Sequence, residues 1–209
     1  AMAPLGRTFT IADYDAAPLT LAGRLVQEDL CLIRPLGDGR HELGAACLCF
    51  PSSWRLADKI GKPLEGVHAP VPGFQEDLAA RVNRLFERLP DGQILQRWNW
   101  SLDEGAALHR PQPHSHDRWL EAGDSPASHV HIRTERQTIR KLPASGCALF
   151  TIRIGLDPLA GLETHPRAAA LIAGLHDQLA AMSDAQAAYK GLTRARPVIL
   201  EWLSERLGS

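Results

Sequence analysis

The 209-residue chain has little excess charge, few cysteines and no long apolar run. Lysine and arginine number 23 against 24 aspartates and glutamates, a net charge of -1. No global field therefore draws the chain to nucleic acid or to an anionic membrane. No stretch reaches the roughly 18 consecutive apolar residues of a membrane-spanning helix. The start, Ala1-Met2-Ala3-Pro4, has neither a basic segment nor an apolar one, so no signal peptide is expected. Cysteine is limited to Cys31, Cys47, Cys49 and Cys147, with no CxxC pair. They read as reduced thiols inside apolar strands of a cytoplasmic protein, not as an iron–sulfur ligand set. Also missing are a GxGxxG turn, a P-loop, a nucleophile elbow and a kinase signature. No basic cluster is interleaved with aromatics, no repeat recurs and no tract is of low complexity.

What is present is an ordinary globular composition, 44% hydrophobic and 22% charged. Residues 129–154 are the centre of the reading. Residues 129–138 form a strand of unusual polarity, with His129, His131, Arg133, Glu135 and Gln137 on one face. Residues 147–154 form an apolar strand beside it. Earlier strands are expected at 27–33 and 41–50, joined at Gly37-Asp38-Gly39 as a hairpin. Another is expected at 93–101. A short helix is expected over 54–60, then a proline-rich loop over 61–73. A helix over 75–89 should turn Leu78, Val82, Leu85, Phe86 and Leu89 inward. Residues 102–128 read as a long surface loop. Three C-terminal helices follow, over 165–182, from Ser183 to Tyr189, and over 193–207. The expected class is α+β: a mainly antiparallel five-stranded sheet, helices on one face, and C-terminal helices, in an order similar to the PAS fold. The expected division is an extension over 1–26, a PAS-like unit over 27–160, and a helical segment over 161–209 packed on it.

Three groups of residues could carry chemistry. His68 is followed by Pro70 and Pro72, which stiffen its loop, so it can be an axial haem ligand or a loop-bonded histidine. Arg97 and Asn99 share one strand face. With Arg133, Glu135, Gln137 and Arg153 they can line a polar pocket or form a structural ion-pair network. Gly123, His129, His131 and Glu135 match the first cupin metal motif, G(x)5HxH(x)3E, and offer Fe, Mn or Zn an alternative site. The motif's closing glycine and its second half have no good match. His114 and His116 read as a solvated pair.

The chain also resembles the bacterial family that includes the alpha subunit of haem-dependent oxidative N-demethylase. The matching pieces are Gln27-Glu28-Asp29-Leu30, Phe50-Pro51-Ser52-Ser53-Trp54, Lys59-Ile60-Gly61 and His68-Ala69-Pro70-Val71-Pro72-Gly73. Asn99-Trp100-Ser101, Arg133-Thr134-Glu135-Arg136-Gln137-Thr138, Leu142-Pro143, Phe150-Thr151-Ile152, Asp157-Pro158-Leu159 and Tyr189-Lys190-Gly191 follow in the family's order. The resemblance implies a PAS-like domain that binds haem b and oxidises a small methylated amine, such as dimethylamine, with dioxygen. It implies electrons from NADPH through partner subunits carrying FMN and a 2Fe-2S cluster, and a tetrahydrofolate-binding partner for the formaldehyde. It assigns His68 as proximal iron ligand and Glu135 as the counter-charge for the amine. Arg97 and Asn99 are further catalytic candidates, and Arg133, Gln137 and Arg153 substrate-binding ones. His129 and His131 depart from the family pattern where apolar residues are expected, and Gly155 where an aromatic is. A non-catalytic haem-based gas or redox sensor remains the alternative from another class.

Overall fold

A computed structural model describes residues 6–113 and 116–208. Five strands form one antiparallel sheet: β1 (Asp29–Pro35), β2 (His41–Cys47), β3 (Ile94–Glu104), β4 (Val130–Lys141) and β5 (Ala148–Pro158). Their order across the sheet is β2-β1-β5-β4-β3. The β4–β5 hairpin turns at residues 142–147, where Leu142 N–H donates to Cys147 O at 2.8 Å.

Nine helices lie around the sheet among the described residues: α1 (Pro18–Leu25), α2 (Leu64–Val67), α3 (Ala79–Glu87), α4 (Asp117–Ala122), α5 (Pro126–His129), α6 (Gly161–Thr164), α7 (Ala168–Ala180), α8 (Asp184–Tyr189) and α9 (Ala195–Leu207). The expected α+β class and antiparallel sheet are found. Two apolar clusters hold the layers. One joins Cys31, Ile33, Leu43 and Ile139 to Leu64 of α2 and to Leu89, which follows α3. The other joins Leu102 and Val130 to Ile172, Leu179, Ile199 and Leu203 of the C-terminal helices. The two helical groups cover opposite faces, because side chains alternate along β3 and β4.

Several local expectations change. The helix expected over 54–60 is a single 3-10 turn, Leu56–Asp58. The proline-rich loop contains the one-turn helix α2. The helix expected over 75–89 begins as a π turn, Phe74–Leu78, before α3. A π turn widens the coil and rotates the residues after it. Leu78 and Leu85 are therefore exposed, and Ala79 and Asn83 are buried instead. The long loop expected over 102–128 holds the end of β3 and helices α4 and α5. His116 is not solvated: buried, it donates from Nε2 to Leu102 O at 3.3 Å and accepts the Trp119 indole N–H at 3.1 Å. His114 lies outside the described residues. Of the cysteines, Cys31 is buried, while Cys49 lies beyond β2 and is exposed.

The C-terminal helices keep their expected anchors. Ser183 and Gln186 form a reciprocal capping box that starts α8, and Gly191 ends it at φ 68°. Ile199, Trp202 and Leu203 are buried on α9. Replacing Ser183 by Ala is expected to cost about 1 kcal/mol, and Leu203 by Ala about 2–5 kcal/mol. Denaturant midpoints at constant slope measure both; a Leu203→Ala loss no larger than that of Ser183→Ala would contradict the packing described.

Candidate functional site

The polar face of β4 gathers most of the expected residues. Its register sets Arg97 opposite Gln137, Asn99 opposite Glu135 and Ser101 opposite Arg133. On the other side Ile152, Ile154 and Leu156 of β5 oppose Gln137, Glu135 and Arg133. The result is one surface, polar on β3 and β4 and apolar on β5.

Glu135 is the hub of the polar half. Its Oε2 accepts Gln137 Nε2 at 2.9 Å and Asn99 Nδ2 at 3.2 Å, and its Oε1 faces Arg133 Nε at 3.4 Å. Arg97 Nε donates to Gln137 Oε1 at 2.6 Å. The Glu135 side chain keeps 16% exposure, so a small ligand can still reach it.

Arg133 is buried to 1% exposure. A buried guanidinium needs partners for its fork of donors. Besides Glu135 it donates from Nη2 to Phe50 O at 2.6 Å and from Nη1 to Leu108 O at 3.3 Å. These carbonyls belong to two loops laced to each other. Arg110 N–H donates to Pro51 O at 2.9 Å, and Ser53 N–H to Arg110 O at 2.8 Å. His109 Nδ1 donates to Cys49 O at 3.0 Å.

His68 caps the C-terminus of α2. Its Nδ1–H donates to Leu64 O at 2.8 Å, and its ring stacks on Phe74 at 4.4 Å between centroids. The Leu64 bond fixes the tautomer and leaves Nε2 with its lone pair. The turn that holds it is built by the following residues: Val71 N–H returns to His68 O at 2.8 Å, and Gly73 at φ 72° starts the π turn. Burial pushes the imidazole below its ordinary pKa; the cations Lys59 and Arg97 push the same way, against the Leu64 bond. Leu64 and Val67 of α2 pack with Ile139, which shares the face of β4 that carries the polar row, so His68 lies on that side of the sheet.

Not every expected residue joins. Arg153 pairs across the strands with Arg136, on the opposite face, and reaches Glu28 at 3.6 Å. Its assignment to the pocket is corrected. Gly155 also lies on that face, where a Cβ would meet Thr134 Oγ1 at 2.7 Å. His129 belongs to α5, and its Nε2 bonds Asp124 Oδ2 at 2.9 Å. It therefore does not share a strand face with His131 and Glu135. No group of three His, Cys, Asp or Glu side chains converges to hold a metal ion among the described residues, so the cupin alternative is set aside.

Two contributors were not expected. Asp29 is fully buried on β1 and accepts the N–H groups of Cys49 at 2.6 Å and Phe50 at 3.2 Å. Burial raises its pKa, and those bonds and Arg133 oppose the rise. A lone Asp ahead of the apolar run LCLI was the available signal. Lys190 reaches the open edge of β3, donating to Trp100 O at 2.8 Å. Burial lowers its pKa, against the pull of Glu135 and Asp103.

The donor set fits haem. A histidine oriented through Nδ1 lies on the same side of the sheet as a surface that is apolar on β5 and polar on β3 and β4. Comparison with known families agrees. The sequence model described as haem-dependent oxidative N-demethylase, alpha subunit-like, matches residues 2–200. The chain belongs to that family.

Two outcomes follow from the geometry. His68 has a folded pKa below the roughly 6.5 of an unfolded histidine, so its contribution to stability is complete above that pH. It is lost as pH falls from there towards the folded pKa. Imidazole NMR should show His68 titrating below ordinary histidines; a midpoint at or above the ordinary value would contradict its burial. Replacing Arg133 by Ala should cost about 3–5 kcal/mol, as removing one partner of a buried pair does. Amide exchange at residues 49–53 and 108–110 should quicken in step.

Proposed function

We propose that the chain is a haem-dependent oxidative N-demethylase subunit, in which His68 holds the iron and Glu135 receives a small methylated amine. The observation that supports this reading is a histidine with its tautomer fixed by Leu64, at the end of a helix packed against the side of the sheet that carries the Glu135–Asn99–Gln137 row. Family membership supports it, and the element order agrees with a PAS-like fold of the haem-binding part.

Haem b, when bound, supplies the redox chemistry that activates dioxygen and takes electrons from the amine. The chain's residues do the rest. A secondary amine such as dimethylamine is cationic at neutral pH. Glu135 offers it a carboxylate whose Oε2 is already held by two amides, so the ammonium is oriented towards the remaining lone pairs. Glu135 is placed to accept the proton that the amine gives up. Arg97 and Asn99 present N–H groups along the same row. Such fixed donors stabilise negative charge developing on an oxygen species without reorganising. The expected products are the demethylated amine and formaldehyde.

Electrons would come from separate subunits bearing FMN and a 2Fe-2S centre, and tetrahydrofolate would be handled on another partner. The family description as an alpha subunit supports a multi-subunit assembly. No described helix is long and apolar enough to cross a membrane, and a cytoplasmic location is part of the proposal.

The test is oxygen uptake with formaldehyde release, using haem-loaded protein, a chemical or enzymatic reductant, and dimethylamine. Both are expected to depend on amine. Glu135→Gln should lower kcat/KM for the amine about 10- to 100-fold, hydrogen bonds to charged groups being worth about 1.5–3 kcal/mol. Haem-loaded protein that turns over no methylated amine would favour the sensor instead.

A further inference from the structure

The face of the sheet behind the polar row is covered only in part. The C-terminal helices pack over Trp100, Leu102, Val130 and Ile132. Beyond them, Trp98 is 64% and Ile94 61% exposed. Trp98, Arg136 and Arg153 form one cross-strand row over β3, β4 and β5. Arg140, paired with Ile94, is exposed in the same patch. The arginines are partly neutralised: Glu28 lies 3.3 Å from Arg136 and 3.6 Å from Arg153. Three guanidiniums thus surround two large apolar side chains with one carboxylate between them.

A tryptophan amid arginines is the composition of a protein-binding centre, where aromatic and Arg residues are enriched. Its charge asks for an acidic partner. Its position adds a second point. Trp98 lies between Arg97 and Asn99 in β3, and Arg136 between Glu135 and Gln137 in β4. Alternation puts those neighbours through the sheet, on the His68 side. The patch is thus the reverse side of the candidate site, one sheet thickness away.

We infer that the Trp98–Arg136–Arg153 face docks an acidic electron-donor protein with a one-electron centre. This rests on the haem reading above. In each transfer the donor centre is oxidised by one electron and the ferric iron is reduced to ferrous by that electron; no atom moves. Arg153, which the pocket does not use, acquires a role on this face.

The probe is an acidic plant-type 2Fe-2S ferredoxin, titrated calorimetrically into the full chain at low and at 0.5 M salt. Binding needs no haem, so this arm reads the docking face even if the haem reading fails. The expected result is binding that weakens at least about tenfold in high salt, where charges on separate surfaces are screened. Arg136→Glu with Arg153→Glu should weaken it similarly, and Trp98→Ala should also weaken it, with circular dichroism unchanged. In haem-loaded protein the double variant should slow reduction by ferredoxin but not by dithionite. Binding that is absent, or indifferent to these substitutions, overturns the inference. So does a dimer of this chain that Trp98→Ala disperses, since the face would then belong to a second copy.

Discussion

One buried guanidinium constrains the rest of this structure. Arg133 is 1% exposed, and a charge so placed is tolerated only with its donors matched. It meets that demand with one carboxylate and two loop carbonyls, those of Glu135, Phe50 and Leu108. The same contacts tie strand β4 to the segment after β2 and to the segment after β3. Asp29 fastens the first of these segments again, through the amides of Cys49 and Phe50. The fold and the candidate site therefore share their central bonds, and the orientation of Glu135 is inherited from the packing of the loops.

The candidate site draws on two differently prepared groups. On the helical side, a short helix, a stacked Phe74 and a carbonyl hold one imidazole in one tautomer. On the sheet side, two amides and an arginine hold one carboxylate in one orientation. Low local dielectric strengthens every one of these contacts, and it makes an unmatched member costly. Pre-set polarity of this kind suits chemistry in which charge develops beside fixed donors.

The sequence made the sheet legible through period-two alternation, and β4 was visible because its polarity was out of place. The face assignments within one strand held: Arg97 lies with Asn99, and Arg133 with Glu135 and Gln137. Assignments between strands did not all hold. Whether Arg153 joins Glu135 depends on the length of the turn over 142–147, and a shift of one residue moves a whole strand's side chains to the other face. The alternation of HVH predicts strand at His129, yet Ser125 caps a turn starting at Pro126 that takes it into α5. The inward face of α3 differs from the periodic expectation for a similar reason, since an inserted π turn leaves no mark in periodicity. His68 stood out through its prolines, whereas the Leu64 carbonyl that orients it belongs to a helix of one turn, too short to read from sequence.

The most direct measurement is the absorption spectrum of haem-reconstituted protein, reduced with dithionite and then exposed to carbon monoxide, for wild type and for His68→Ala. The account requires an intense Soret band in wild type that shifts at each step. It also requires His68→Ala to lose haem, or to bind it with altered ligation. An identical set of spectra from the two proteins would contradict the assignment of His68, and no Soret band in wild type after hemin titration would contradict the haem site itself.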